Sequence, residues 1–253
     1  MIFLALIPAR YASTRFPAKP LAMLAGKPII QHVYERVQQV FEHAYVVTDD
    51  SRIADAVEAF GGRYVMTSVH HKSGTDRCCE AVEKLQSEGI LPDVVVNIQG
   101  DEPFIAAKQL ESIKACFDSD EVQIATLIKP FLPSDGIEAL ENPNSPKVVV
   151  DNNQNAMYFS RSVIPYLRNV ERKDWLSSHV FYKHIGLYAY RTHVLKEITT
   201  INTGVLENAE SLEQLRWLQA GYVIKTAVTD IETIGIDTPE DLEKAKHFIQ
   251  NIQ

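Results

Sequence analysis

The chain has 253 residues, 45% of them hydrophobic, which suffices to bury a large core in one α/β domain. A formal net charge of −8 and a pI near 5.5 exclude a surface built to hold nucleic acid, so clustered positive charge has to serve a small anion. Three cysteines, Cys78, Cys79 and Cys116, fit neither a disulfide framework nor a CxxC zinc pattern and point to reduced thiols in the cytoplasm.

Residues 2–7 form an apolar run that ends at Pro8. The run is too short to span a bilayer or to act as a signal segment, so it predicts the first strand and no membrane partner. It empties into IPARYASTRFPAKPL at 7–21, which carries the cations Arg10, Arg15 and Lys19 and the small hydroxyl residues Ser13 and Thr14, stiffened by Pro8, Pro17 and Pro20. No GxxxxGK[ST] cradle or GxGxxG fingerprint is present, so phosphate has to be neutralised by side chains more than by glycine-exposed amides. Ligands of open parallel sheets bind at the carboxyl ends of strands, and a cationic loop there suits a triphosphate. The competing reading is a solvated basic turn.

Pro28 marks a helix start, with Ile29, Ile30, Val33, Val37 and Val40 recurring at helical spacing. A strand at 45–48 follows, then a helix capped by Asp50 or Ser51 that carries Ile53, Ala56, Val57 and Phe60 and ends at Gly61-Gly62. After a strand at 63–66, the segment HHKSGTDR at 70–77 sets Gly74 between hydroxyls before a helix. That arrangement suits hydrogen bonds to a base or phosphate, and it is equally an ordinary helix entry. The strand at 94–98 ends in Gln99-Gly100-Asp101-Glu102-Pro103, where Asp101 either holds Mg²⁺ against phosphate or caps the next helix. With a further strand at 123–128 the pattern is β-α-β-α. It predicts an α/β, Rossmann-like, mainly parallel sheet with helices on both faces.

After residue 128 the rhythm breaks. Stretches 129–136 and 142–146 are turn-rich and resist regular structure. Residues 147–150 and 156–159 flank the turn 151–155 as a hairpin that 185–190 joins as another antiparallel strand. The expectation is one domain over 1–253 with an inserted antiparallel region at about 145–205. Near the end, GIDTPEDL at 235–242 places Asp237 and Thr238 before Pro239: either residue can cap the helix, and Asp237 is also a candidate second metal carboxylate.

The ordered set IPARYASTRFPAKPL, HHKSGTDR, NIQGDEP, YFSRSVIPY, HIGLYAYR, LEQLR and GIDTPEDL resembles the CMP-acid-sugar synthetases over nearly the whole chain, most closely the branch acting on 3-deoxy-manno-octulosonate (Kdo). The family's first loop usually reads PGKPL; Ala18 stands here in place of that glycine, which fits unless φ is positive there. The resemblance implies attack of the Kdo anomeric hydroxyl on the α-phosphorus of CTP, giving CMP-Kdo and pyrophosphate for lipopolysaccharide assembly. It assigns catalysis to Arg10, Arg15, Lys19 and Asp101, and the nucleotide to Pro8, Ala9, Arg10, Ser13, Lys19, Ser73, Gly74 and Arg77. It gives Mg²⁺ to Asp101 and Asp237, and the acceptor to Gln99, Arg161, His184, Tyr188, Glu213 and Gln214. It also implies a homodimer formed through the inserted region. CMP-sialic acid synthetase, or a synthetase for a related octulosonate, is the alternative within enzymes. A sugar-1-phosphate nucleotidyltransferase lacks support because its Gly-rich opening loop is absent. A regulatory nucleotide-binding module would leave Arg161 and His184 without a purpose.

Overall fold

The computed structural model describes residues 1–12, 15–232 and 235–250. It is an α/β fold whose sheet is mainly parallel, and the chain divides into two compact units. The first comprises Met1–Glu111, Ala189–Thr199 and Thr233–Gln253.

In this unit β1 (Phe3–Ala9), β2 (His43–Thr48), β3 (Tyr64–Met66) and β4 (Val94–Asn97) form a parallel sheet in the order β4-β1-β2-β3. Buried on both faces, β1 reads as a continuous apolar run, with Leu4, Ala5, Leu6 and Ile7 fully inaccessible. Three helices supply the crossovers: α1 (Ile29–Val37), α2 (Ser51–Ala59) and α3 (Gly74–Ser87). Pro28 stands at the N-cap of α1, whose Ile29, Ile30, Val33 and Val37 face the core at the predicted spacing, joined by Tyr34, while Val40 lies beyond the helix end. The Asp50 carboxylate accepts from the Arg52 amide and caps α2, and Gly61 at φ 76° follows that helix. Leu24, Ile29, Ile236, Leu242 and Ala245 close a core cluster that seats the helix Pro239–Gln250.

The second unit comprises Ser112–Tyr188 and Thr200–Glu232. Here β5 (Ile124–Pro130) pairs in parallel with a later strand, Ile224–Val228. The expected hairpin is present as β6 (Lys147–Val150) and β7 (Ala156–Ser160), antiparallel with a register shift at Val149/Val150. The next strand, β8 (Tyr182–Arg191), joins β6 antiparallel through Tyr182 and Lys183, three residues before the expected start.

The stretch 129–136 departs from its expected irregularity. β5 runs on to Pro130, and Gly136–Glu141 is helical. The cause is tertiary: Leu140 is buried against Phe131, Trp175 and Phe181, and the Asp135 carboxylate ties the turn by accepting from the Leu132 amide at 2.8 Å. Among the described residues no helix is long and apolar enough to cross a membrane.

Candidate active site

The carboxyl ends of β1 and β4 open into a cavity of about 450 Å³ within the first unit, lined by Pro8, Ala9, Arg10, Arg15, Lys19, Gly74, Gln99, Gly100 and Asp101 among others. Two strands, the loops that follow them and the start of α3 thus bring together five of the eight predicted nucleotide residues. Ser13 and Thr14 lie outside the described residues.

Close approach of the two strand ends depends on Gly100, where an added Cβ would lie 2.7 Å from the Pro8 carbonyl oxygen. Ala18 makes the turn that aims Lys19: its amide donates to the Tyr11 carbonyl at 2.9 Å, and its φ of 57° is in the left-handed region. From there Lys19 sends its Nζ to Asp101 Oδ2 at 2.5 Å and Asp237 Oδ1 at 3.1 Å. Arg15 reaches the same Asp237 oxygen at 3.2 Å, while Arg10 donates to the Lys72 carbonyl at 2.8 Å, just ahead of Gly74. Burial works against the charge of the Lys19 ammonium. Asp101 and then Asp237 outweigh it and raise its pKa above the ordinary lysine value, so the group stays a cation.

The Asp101 carboxylate faces Lys19, and the Ile236 amide donates to the Asp101 carbonyl at 2.9 Å, which clamps the two carboxylate-bearing loops together. Thr238 takes the capping role before Pro239, its Oγ1 accepting from the Asp241 amide while Asp241 Oδ2 accepts from the Thr238 amide. That exchange leaves Asp237 to face Lys19.

Of the predicted acceptor residues, Gln99 lines the cavity of the first unit, and the other five lie in the second, where His184 and Tyr188 are in ring contact and Arg161 has separate partners. His184 Nε2 lies 3.0 Å from Thr126 Oγ1, and its ring stands between Phe159 and Tyr188, with centroids 5.1 and 5.2 Å away. Burial depresses its pKa to about 3, so the imidazole is neutral at pH 7 and can donate one N–H. Burial, then the Glu213 carboxylate, raise the Tyr188 phenol well above its usual pKa. Gln214 is 4% exposed with its amide nitrogen lacking a hydrogen-bond partner, and Glu213 pairs with Arg216 at 2.8 Å. Arg161 donates from Nε to the Glu210 carbonyl, from one terminal nitrogen to Pro143 and from the other to Ser211. These three bonds use one N–H of each guanidinium nitrogen.

A family model described as Cytidylyltransferase matches residues 4–234. The chain belongs to that family. It is 66% identical over 250 residues, 99% of this chain and 98% of the other, to a 3-deoxy-manno-octulosonate cytidylyltransferase of Phocaeicola vulgatus (strain ATCC 8482). It is 52% identical to the protein of that name from Porphyromonas gingivalis (strain W83), covering 98% and 96% of the two chains. Among solved structures it is similar to CMP:2-keto-3-deoxy-manno-octonic acid synthetase complexed with CTP, at a TM-score of 0.90, 40% identity and full coverage of both chains. The chain is therefore a nucleotidyltransferase.

In this cytidylyltransferase, Arg77 departs from its expected place on the nucleotide. Its side chain is wholly buried, with one terminal nitrogen on Thr67 Oγ1 at 2.6 Å and the other on Asp49 Oδ2 at 3.0 Å. The guanidinium fastens α3 to the segments that follow β2 and β3, and so fixes the helix end that carries Gly74. Ser73, expected as a ligand contact, caps that helix by accepting from the Asp76 amide at 3.0 Å. Sequence reasoning missed Asp49 and Thr67. The available signal for Asp49 was an acid directly after the apolar strand that ends at Thr48. A larger cavity of about 780 Å³ in the second unit presents one lysine, Lys225, beside Asp118 and Glu121, a charge balance that does not suit a triphosphate.

Proposed function

We propose that this cytidylyltransferase couples CTP to Kdo, releasing pyrophosphate and CMP-Kdo for lipopolysaccharide assembly in the cytoplasm. The observation that carries this reading is the convergence of Asp101 and Asp237 on one cation, beside Arg10 and Arg15, at the carboxyl edge of a parallel sheet.

In the reaction, the anomeric hydroxyl of Kdo forms a bond to the α-phosphorus while the bond from that phosphorus to the bridging oxygen of pyrophosphate breaks. The hydroxyl proton leaves to solvent. Transfer at phosphorus needs alignment and charge stabilisation more than covalent help from the protein. Arg10, Lys19 and Arg15 supply the positive charge that offsets pyrophosphate as it departs. Pro8, Ala9, Ser13, Ser73 and Gly74 surround the nucleotide with backbone and hydroxyl groups.

Asp101 and Asp237 fit Mg²⁺, since their oxygens are hard donors near enough to share one ammonium, and Mg²⁺ commonly takes one or two carboxylates with substrate phosphates and water. Among the described residues no third acid, histidine or cysteine joins them, which agrees with a site completed by phosphate. Mg²⁺ bound there supplies charge at the phosphates and lowers the pKa of the attacking hydroxyl.

For the acceptor, the neutral His184 donates a hydrogen bond, Arg161 offers its remaining N–H groups to the sugar carboxylate, and Gln99, Tyr188, Glu213 and Gln214 meet hydroxyls. The region at about 145–205 serves acceptor binding and dimerisation. Pyrophosphate release measured across CTP, UTP, ATP and GTP with Kdo and sialic acid tests the assignment. Release with CTP and Kdo well above every other pair is expected, and equal release with sialic acid would overturn the acceptor.

A further inference from the structure

Lys19 occupies an unusual position for a residue whose task is to hold phosphate. Its Nζ bridges Asp101 Oδ2 at 2.5 Å and Asp237 Oδ1 at 3.1 Å, and its side chain is only 15% exposed. Of the two carboxylates, Arg15 pairs with Asp237, at 3.2 Å, and is 67% exposed. The two carboxylates that suit a divalent cation therefore already share a unit positive charge held between them. A metal ion reaching both has to displace that ammonium, which then needs another anionic partner in a partly buried place. The triphosphate of a bound nucleotide is such a partner, because the cavity that Lys19 lines is also lined by Arg10, Gly74 and Gly100.

We propose that Lys19 is a resident counter-cation that weakens divalent-metal binding at Asp101 and Asp237 until a nucleoside triphosphate draws it away, so that nucleotide and metal bind with positive coupling. The inference rests on the reading of those aspartates as the metal pair. Coupling of this kind is reciprocal: whatever nucleotide does for metal affinity, metal does for nucleotide affinity.

The discriminating measurement is Mn²⁺ binding without nucleotide, followed by electron paramagnetic resonance of free Mn²⁺, for wild type, Lys19→Met and Arg15→Met, with thermal unfolding confirming that each variant folds. Lys19→Met is expected to bind Mn²⁺ about tenfold more tightly than wild type. Arg15→Met removes the same unit charge but leaves Lys19 on both carboxylates, including the Asp237 oxygen the two cations share, and is expected to gain less than threefold. Equal gains in the two variants would reduce the effect to net charge and overturn the counter-cation role, as would no gain in Lys19→Met. Adding Asp101→Asn to Lys19→Met should abolish the gained site. If wild type with CTP binds no more Mn²⁺ than CTP alone does, and Asp101→Asn changes nothing, the metal assignment itself fails, whereas a CTP-dependent site with no gain in Lys19→Met refutes only the counter-cation.

Discussion

Ala18 sits at φ 57° and ψ 19°, a left-handed conformation that crowds the Cβ of any L residue and that glycine adopts freely. The sequence raised the issue, because a glycine is usual at this point of the motif, but only the backbone geometry decides it. The strain is confined to the turn that aims Lys19 at Asp101 and Asp237, so the loop holds its cation by main-chain bonds to Tyr11 and Leu21 despite the cost. Ala18→Gly should stabilise the protein by about 0.5–1 kcal/mol, since the relief in the folded state exceeds the added freedom of the unfolded chain. A rise in the urea midpoint with an unchanged slope would confirm this, and a fall would show that the turn tolerates Ala better than its φ indicates. The residue scale was otherwise partly legible. Arg10, Lys19 and Asp101 announced themselves by charge at a strand end. Arg77 carries the same charge, and nothing in its local spacing separates a ligand contact from a buried tie to Asp49 and Thr67.

Among the elements, those that a single local signal specifies are legible in the sequence. The apolar runs at 2–7 and 94–98 became β1 and β4, and the amphipathic spacing of Ile29, Ile30, Val33 and Val37 became α1. Caps were legible as alternatives. Asp50 or Ser51 resolved to Asp50, and Asp237 or Thr238 to Thr238, because only a reciprocal bond with Asp241 distinguishes the second pair. The helix Gly136–Glu141 was not legible. The Pro and Asp residues just before it, Pro130, Pro133 and Asp135, read as loop, and its stability comes from burying Leu140 against Phe131, Trp175 and Phe181, the last two 35 or more positions later. The early start of β8 has a similar origin, in pairing of Lys183 with Lys147, which no local pattern encodes.

At the scale of the molecule, the first unit holds the cation-and-carboxylate cleft and the second holds the aromatic cluster around His184. That cluster makes stability pH-dependent. His184 has a folded pKa of about 3 against an ordinary 6.5, so the unfolded chain takes up a proton before the folded one does. Its contribution is intact above about pH 6.5 and is lost as pH falls from there towards 3. From about pH 6.5 down to pH 5, wild type should lose about 1–2 kcal/mol more stability than His184→Gln, with about 1.4 kcal/mol per pH unit as the ceiling. Parallel pH profiles for the two proteins would show that the imidazole is protonated in the folded state.

In the proposed reaction Asp101 and Asp237 gather positive charge around the phosphates of CTP. Pyrophosphate release from CTP and Kdo by Asp101→Asn, compared with wild type at saturating Mg²⁺, reads that claim most directly. A loss of about three orders of magnitude in turnover with an unchanged unfolding midpoint is the predicted result. Turnover within a few-fold of wild type would contradict it.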